Sequence, residues 1–219
     1  MVTALELAPG VKLWREYFSS PKQKMLVAEV LQQTQAAPFY RPLMPRSGKP
    51  FSVEETNFGT LGWMSEPDGY RYSSVHPVTG LPWPAIPTAL LEVWRDTSDC
   101  LSEPECCLVN LYRDGARMGA HQDRDEDAID AAVVSVSLGD AALFRFGGTT
   151  RKAPTRSVKL LSGDLLTFGG PARLMYHGID RVLSGSSSLV PGGGRINLTM
   201  RRVTRAQKNN ARSGGRPGA

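Results

Sequence analysis

Arg195-Ile-Asn-Leu-Thr-Met-Arg201 alternates polar and apolar side chains without a break. Successive side chains of an extended strand point to opposite faces. Arg195, Asn197, Thr199 and Arg201 therefore share one face, and Ile196, Leu198 and Met200 share the other. Such a polar face either meets solvent or lines the inside of a barrel, where two arginines can grip both ends of a small dicarboxylate. Six residues at about 3.3 Å each span roughly 20 Å, so both guanidiniums must reach inward to touch one five-carbon acid.

Outward from this strand the same texture repeats. Segments 106–112, 133–138, 142–147, 157–161, 164–168 and 173–177 read as short strands, with glycine punctuation at 147–148, 169–170 and 192–194. That spacing signals an antiparallel sandwich or barrel rather than βαβ units. Upstream, Ser19-Ser20-Pro21 opens a helix through about Ala37, with Ser20 as N-cap, Pro21 at N1 and an apolar stripe of Met25, Leu26, Val30 and Leu31. A second helix starts at Pro87 and buries Leu90, Leu91 and Trp94. Residues 38–51 read as a mobile loop and 184–194 as an exposed, low-complexity one. The expected fold class is mainly β with flanking helices (α+β): a jelly-roll core at 105–202, a helical and loop-rich extension at 1–104, and a basic, disordered tail at 203–219.

The excess charge has a definite place. Residues 202–219 carry Arg202, Arg205, Lys208, Arg212, Arg216 and no acid; the remaining 21 Lys and Arg match the 21 Asp and Glu of the chain. A tail of this composition suits sequence-independent contact with phosphates, or serves only solubility. Cys100, Cys106 and Cys107 have no framework spacing, which argues for free thiols in a reducing compartment. No signal peptide and no apolar run of about 18 residues is read, so the expectation is a cytoplasmic protein without a membrane span.

His121-Gln122-Asp123 places a histidine and a carboxylate at i and i+2, on one side of an extended strand, and Asp125 points the same way. His177, in Leu174-Met-Tyr-His-Gly178, ends a strand before a glycine turn. Two histidines and one carboxylate can occupy one face of Fe(II) and leave positions open for a co-substrate and O₂. A zinc hydrolase uses the same ligand types, and His-x-Asp alone is a weak signal.

Together with the Arg195–Arg201 strand, these residues resemble the AlkB family of Fe(II)- and 2-oxoglutarate-dependent dioxygenases. Asn110-Leu-Tyr112, Val134-Ser-Val-Ser-Leu-Gly139, Phe144-Arg-Phe-Gly-Gly148 and Leu61-Gly-Trp63 are similar to family segments in the same order, so the resemblance covers about residues 50–202. It implies that His121, Asp123 and His177 hold iron, that Asn110 and Tyr112 donate to 2-oxoglutarate, and that Arg195 and Arg201 pair with its carboxylates while Asn197 and Thr199 line the same wall. It implies a nucleotide-recognition lid in the N-terminal part, with Trp63, Tyr70, Tyr72, Asp125 and Arg151 contacting the substrate; Trp83 is assigned to packing. The implied reaction is oxidative demethylation of 1-methyladenine- and 3-methylcytosine-type bases in DNA, or RNA, by a monomer that converts 2-oxoglutarate and O₂ to succinate and CO₂ and releases formaldehyde. The rivals are a 2-oxoglutarate oxygenase acting on RNA, protein or a small metabolite, and a cupin-like binding module without turnover. A mere binder has no need of a dicarboxylate clamp.

Overall fold

The structure, a computed structural model, describes residues 3–205. Pro9-Gly10 turns β1 (Leu5–Ala8) back on β2 (Val11–Trp14), and α1 (Ser20–Gln33) follows. Then come β3 (Glu54–Gly59), the hairpin β4 (Gly62–Glu66) and β5 (Gly69–Ser73), and α2 (Thr88–Thr97). The second half supplies β6 (Cys106–Tyr112), β7 (Met118–His121), β8 (Val133–Gly139), β9 (Ala141–Gly147), β10 (Thr155–Leu160), β11 (Leu165–Phe168), β12 (His177–Leu183) and β13 (Arg195–Arg201).

These strands form a seven-stranded sheet in the order β1-β2-β11-β8-β13-β6-β3 and a four-stranded sheet in the order β10-β9-β12-β7, both antiparallel. The two layers make the expected mainly β jelly roll. Ile196, Leu198 and Met200 lie on the outer face of the large sheet, in one buried cluster with Val30 of α1 and Leu90 and Trp94 of α2. Val11, Leu13, Phe144, Phe146 and Phe168 fill a second cluster between the sheets. With helices on one side and the second sheet on the other, β13 is buried along its whole length. Its polar face meets a cavity, not solvent.

The N-terminal part is less helical than expected. β1, β2 and β3 hydrogen-bond into the large sheet, where β2 pairs with β11 and β3 with β6. The turn at Gly10 takes φ 81°, and a Cβ there would meet the Gly169 carbonyl oxygen at 2.4 Å. Proline-glycine between two short alternating segments is a hairpin signal, overshadowed by the brevity of the strands. In α1 the flanking residue is Ser19 rather than Ser20, and the helix stops at Gln33 rather than Ala37. Its buried stripe is Leu26, Val27 and Val30, while Met25 is 72% exposed. In α2 the buried side is Leu90, Val93 and Trp94, with Leu91 only partly covered.

One further expectation is corrected. Segment 173–177 is not a strand: a 3-10 turn at Gly170–Ala172 carries the chain round, and the strand begins at His177 instead of ending there. Residues 184–194 form the expected, largely exposed loop, and the buried Asp140 carboxylate organises it by accepting from the backbone N–H groups of Gly185, Ser187 and Gly194 at 3.2, 2.8 and 3.0 Å, with Val190 buried beneath.

At the C-terminus, Glu105 accepts from the backbone N–H groups of Val203 and Thr204 at 3.0 and 2.7 Å, and the Val203 side chain is buried. Residues 203–205 are thus fastened to the core, and the rest of the expected tail lies outside the described residues. Cys106 and Cys107 are buried on opposite faces of β6. No helix among the described residues is long and apolar enough to cross a membrane.

Candidate active site

A cavity of about 760 Å³ opens between the sheets. β7 and β12 lie side by side, with His121 directly opposite His177 in the register. β7 ends at His121, so Asp123 and Asp125 belong to the loop that follows rather than to one extended strand. That loop still turns Asp123 inward: His121 Nε2 lies 3.6 Å from Asp123 Oδ1, and His177 Nε2 lies 3.9 Å from Asp123 Oδ2. One ligand atom from each of the three residues lies within 4.8 Å of the others.

Backbone carbonyls orient both rings. His121 Nδ1 meets the Gly119 oxygen at 2.9 Å and His177 Nδ1 meets the Met175 oxygen at 3.2 Å. With the Nδ1 protons donated there, the Nε2 lone pairs face Asp123 and are free for a metal. Burial, with His121 beside it, pushes the His177 imidazole down to about 4, so the ring is neutral at ordinary pH. Burial alone would raise the Asp123 carboxyl, but Arg201, His177, His121 and Arg173 together hold it well below the usual carboxylate range. Two imidazole nitrogens and one ionised carboxylate make a donor set suited to Fe(II).

The arginine strand divides its labour. Arg201 Nη2 and Nε reach Asp123 Oδ1 and Oδ2 at 2.9 and 3.2 Å, a two-pronged contact that fixes the carboxylate. Arg195 is 1% exposed and lies over the Tyr112 ring at 5.2 Å. Its Nη2 donates to Ser137 Oγ at 3.0 Å, while Nε and Nη1 have no partner. Asn110 Oδ1, opposite Asn197 in the register and also buried, lacks a partner too. A buried cation with unused donors is costly, and an anion in the cavity would complete it. This end of the cavity fits a carboxylate of 2-oxoglutarate. Asn197 is already committed, since its amide donates to Ser135 Oγ and the Val136 oxygen at 2.8 and 2.9 Å and its Oδ1 accepts from Thr199 at 3.1 Å.

The expected substrate residues part company. Trp63 and Tyr70, on the β4–β5 hairpin, stack at 5.2 Å between ring centroids and line the cavity. Trp63 Nε1 donates to Asp125 Oδ2 at 2.9 Å, so Asp125 faces the hairpin rather than the metal ligands. Arg151 lines the cavity and lies over the Tyr176 ring at 5.1 Å. Tyr72 is turned away from the cavity: its hydroxyl donates to Glu126 and accepts from Arg201 Nη1 at 3.4 Å, behind the metal ligands. Trp83 packs on Ala37 and Met64, as expected.

Three functional neighbours escaped the sequence reading. Arg173 donates to the Asp123 and Ala131 backbone oxygens, and to Glu126 Oε2 at 3.0 Å. Glu126 joins Arg173, Arg201 and Tyr72. Arg173 opens the segment 173–177 expected as a strand, and Glu126 sits in the charged run Asp123-Arg-Asp-Glu-Asp127, so neither carries a signal of its own. Glu55, buried on β3, carries no local signal at all.

The model of the 2OG-Fe(II) oxygenase superfamily matches residues 10–201. The alpha-ketoglutarate-dependent dioxygenase AlkB homolog of Caulobacter vibrioides is 54% identical over 204 residues, covering 92% of this chain and 91% of that protein. The alpha-ketoglutarate-dependent dioxygenase AlkB of Escherichia coli is 37% identical over 202 residues, covering 90% and 92%. The solved structure of OsALKBH1 superposes with a TM-score of 0.75 at 28% identity, covering 91% of this chain and all of that one. Both the arrangement of the cavity and these likenesses, which run nearly end to end, give one answer: the chain belongs to the AlkB family of Fe(II)- and 2-oxoglutarate-dependent dioxygenases.

Proposed function

We propose that this enzyme oxidatively demethylates N-alkylated nucleobases of the 1-methyladenine and 3-methylcytosine type in DNA, with RNA as a second substrate to be tested. The observation that carries the reading is one cavity shared by three things: the His121–Asp123–His177 group, the uncompensated Arg195, and the Trp63–Tyr70 pair at the mouth. A methylated base has to leave its stack to reach a buried oxidant, and aromatic faces offset the stacking it loses.

Iron and 2-oxoglutarate, when bound, would supply with O₂ the oxidative decarboxylation that puts one oxygen atom on the N-methyl carbon and the other into succinate, with release of CO₂. The chain's own residues hold and select. His121, Asp123 and His177 offer the metal three atoms on one side. Arg195, over the Tyr112 ring, takes a carboxylate of the co-substrate with the donors Nε and Nη1 that have no other partner. Arg201 fixes Asp123, and its contact with the second carboxylate would come in addition to that bond. Asn197 and Thr199 stiffen the wall between the two arginines. Trp63 and Tyr70 stack on the base, Asp125 holds Trp63 in place, and Arg151 reaches the backbone phosphate side. Tyr72 supports Arg201 from behind. The hydroxymethyl product collapses to formaldehyde and the restored base without a protein nucleophile.

The β4–β5 hairpin is proposed as the nucleotide-recognition lid, residues 105–202 as the catalytic core it covers, and the free thiols as those of a cytoplasmic monomer. Mass spectrometry of oligonucleotides bearing 1-methyladenine or 3-methylcytosine, incubated with protein, Fe(II), 2-oxoglutarate and ascorbate, tests the reading. Loss of one methylene mass together with formaldehyde is expected. Succinate formation with every methylated oligonucleotide left intact would move the substrate to another class.

A further inference from the structure

Glu55 is fully buried, lines the cavity, and has no hydrogen-bond partner at either carboxyl oxygen. Two more orphans adjoin it. The buried Tyr40 hydroxyl, on the segment bridged to Glu55 through backbone hydrogen bonds, is unpaired. So is Asn110 Oδ1, on the residue opposite Glu55 across β3 and β6. A buried carboxyl without partners costs stability, and a purely structural position would be hydrogen-bonded or apolar. Burial pushes the Glu55 carboxyl up to about 8, against the pull of Arg201. Of these three unused polar groups Glu55 and Asn110 line the cavity, and together they point to a ligand.

The topology says which ligand. β3 is the edge strand of the large sheet, one strand farther from β13 than β6 is, and it leads directly into the β4–β5 hairpin that carries Trp63 and Tyr70. Glu55 lies level with Asn110 and, beyond it, Asn197, so Arg195, opposite Tyr112, is two strands away and one same-face position along. An anionic co-substrate held by Arg195 has no use for a carboxylate beside it, whereas a base stacked under Trp63 presents its edge to this strand. N1-methylated adenine and N3-methylated cytosine are cations with an exocyclic amine, and a carboxylate answers both features at once.

We propose that Glu55 is a specificity-determining residue, whose carboxylate accepts from the exocyclic amine of the extruded base and balances its positive charge. On binding, the carboxyl proton leaves to solvent and the ionised pair replaces a neutral, unpaired acid. A methylated thymine, neutral and with a carbonyl at that edge, gains no such partner. The inference rests on the reading that the substrate is a methylated nucleobase.

The test compares kcat/KM on two single-stranded oligonucleotides, one with a single 3-methylcytosine and one with a single 3-methylthymine, for the wild type, Glu55→Gln and Glu55→Met. Thermal midpoints and the 2-oxoglutarate KM are measured alongside. Wild-type preference for 3-methylcytosine should fall about 10-fold or more in both variants, the scale of a lost charged hydrogen bond. The midpoint should rise in Glu55→Met, because an unpaired buried carboxyl is removed. Glu55→Gln, isosteric, keeps the test open if the methionine variant does not fold. An unchanged substrate ratio in a folded variant overturns the proposal. So does an equal loss on both substrates with a raised 2-oxoglutarate KM, which would place Glu55 on the co-substrate. A wild type that demethylates neither oligonucleotide overturns the nucleobase reading itself, and the proposal with it.

Discussion

Asp123 is at once a metal ligand and the counter-ion of a buried arginine, and the two roles have separable consequences. Asp123→Ala should abolish 2-oxoglutarate turnover because the metal loses its only anionic ligand from the group. It should also cost about 3–5 kcal/mol of stability, since Arg201 is left buried with a weaker partner. A succinate assay and a denaturant melt check the two parts, and an unaltered melt would mean that Glu126 and Tyr72 suffice for Arg201. Arg195→Lys should raise the 2-oxoglutarate KM sharply despite conserved charge, because a point charge replaces a planar fork whose Nε and Nη1 are reserved for the ligand. An unaltered KM would remove Arg195 from the carboxylate. Glu55 gives a pH signature in the apoprotein. With its carboxyl raised from 4.5 to about 8, the folded state binds more protons than the unfolded one in that window. Stability should therefore fall as pH rises between those values, and Glu55→Gln should flatten the decline. Parallel pH–stability curves for the two proteins would show that Glu55 titrates normally.

At the scale of elements, the β4–β5 hairpin is tied to the metal loop by the Trp63–Asp125 bond and by Tyr72 at Glu126. Asp125→Ala should raise the oligonucleotide KM several-fold by freeing Trp63 from its stack on Tyr70, about the loss of one hydrogen bond to a charged group. A loss confined to metal affinity would instead place Asp125 in support of the ligands. The strands of this molecule are legible to different degrees, for a physical reason. β6, β8 and β13 are covered on both faces and carry β-branched or strictly alternating runs, so 106–112, 133–138 and 195–202 follow from the pattern nearly to the residue. β1, β2 and β7 have four residues each and are held by their neighbours in the sheet, not by their own pattern. Segment 173–177 misleads because Arg173, Met175 and His177 are buried at alternate positions across a turn that ends at the first residue of β12, which imitates a strand.

At the scale of the whole molecule, charge outside the core is the lever on nucleic-acid affinity. Val203, Thr204 and Arg205 are bonded to Glu105 and Asp127, so a clean truncation begins at residue 206 and removes Lys208, Arg212 and Arg216. It should weaken oligonucleotide binding and reduce the magnitude of the log–log salt slope on single strands, by up to about 0.7 for each phosphate that a deleted side chain had neutralised. Binding titrations from low to moderate salt decide it; superimposable slopes would leave the phosphates to Arg151 and the cavity rim.

The chemistry is already written in the chain: His121, Asp123, His177, Arg195 and Arg201 are of types and spacings that one cavity can gather, and the alternation of β13 dictates which side chains face inward. Local pattern carries that information because a strand's period is set by its own backbone. Which of these groups pair with one another depends on the packed fold. Arg201 went to Asp123 while Arg195 stayed uncompensated, Tyr72 turned behind the site while Trp63 and Tyr70 stayed in front, and Arg173, Glu126 and Glu55 joined from positions with no signal of their own in the sequence. Burial and pairing of a charge depend on residues distant along the chain that packing brings within a few ångströms, and no local period records them.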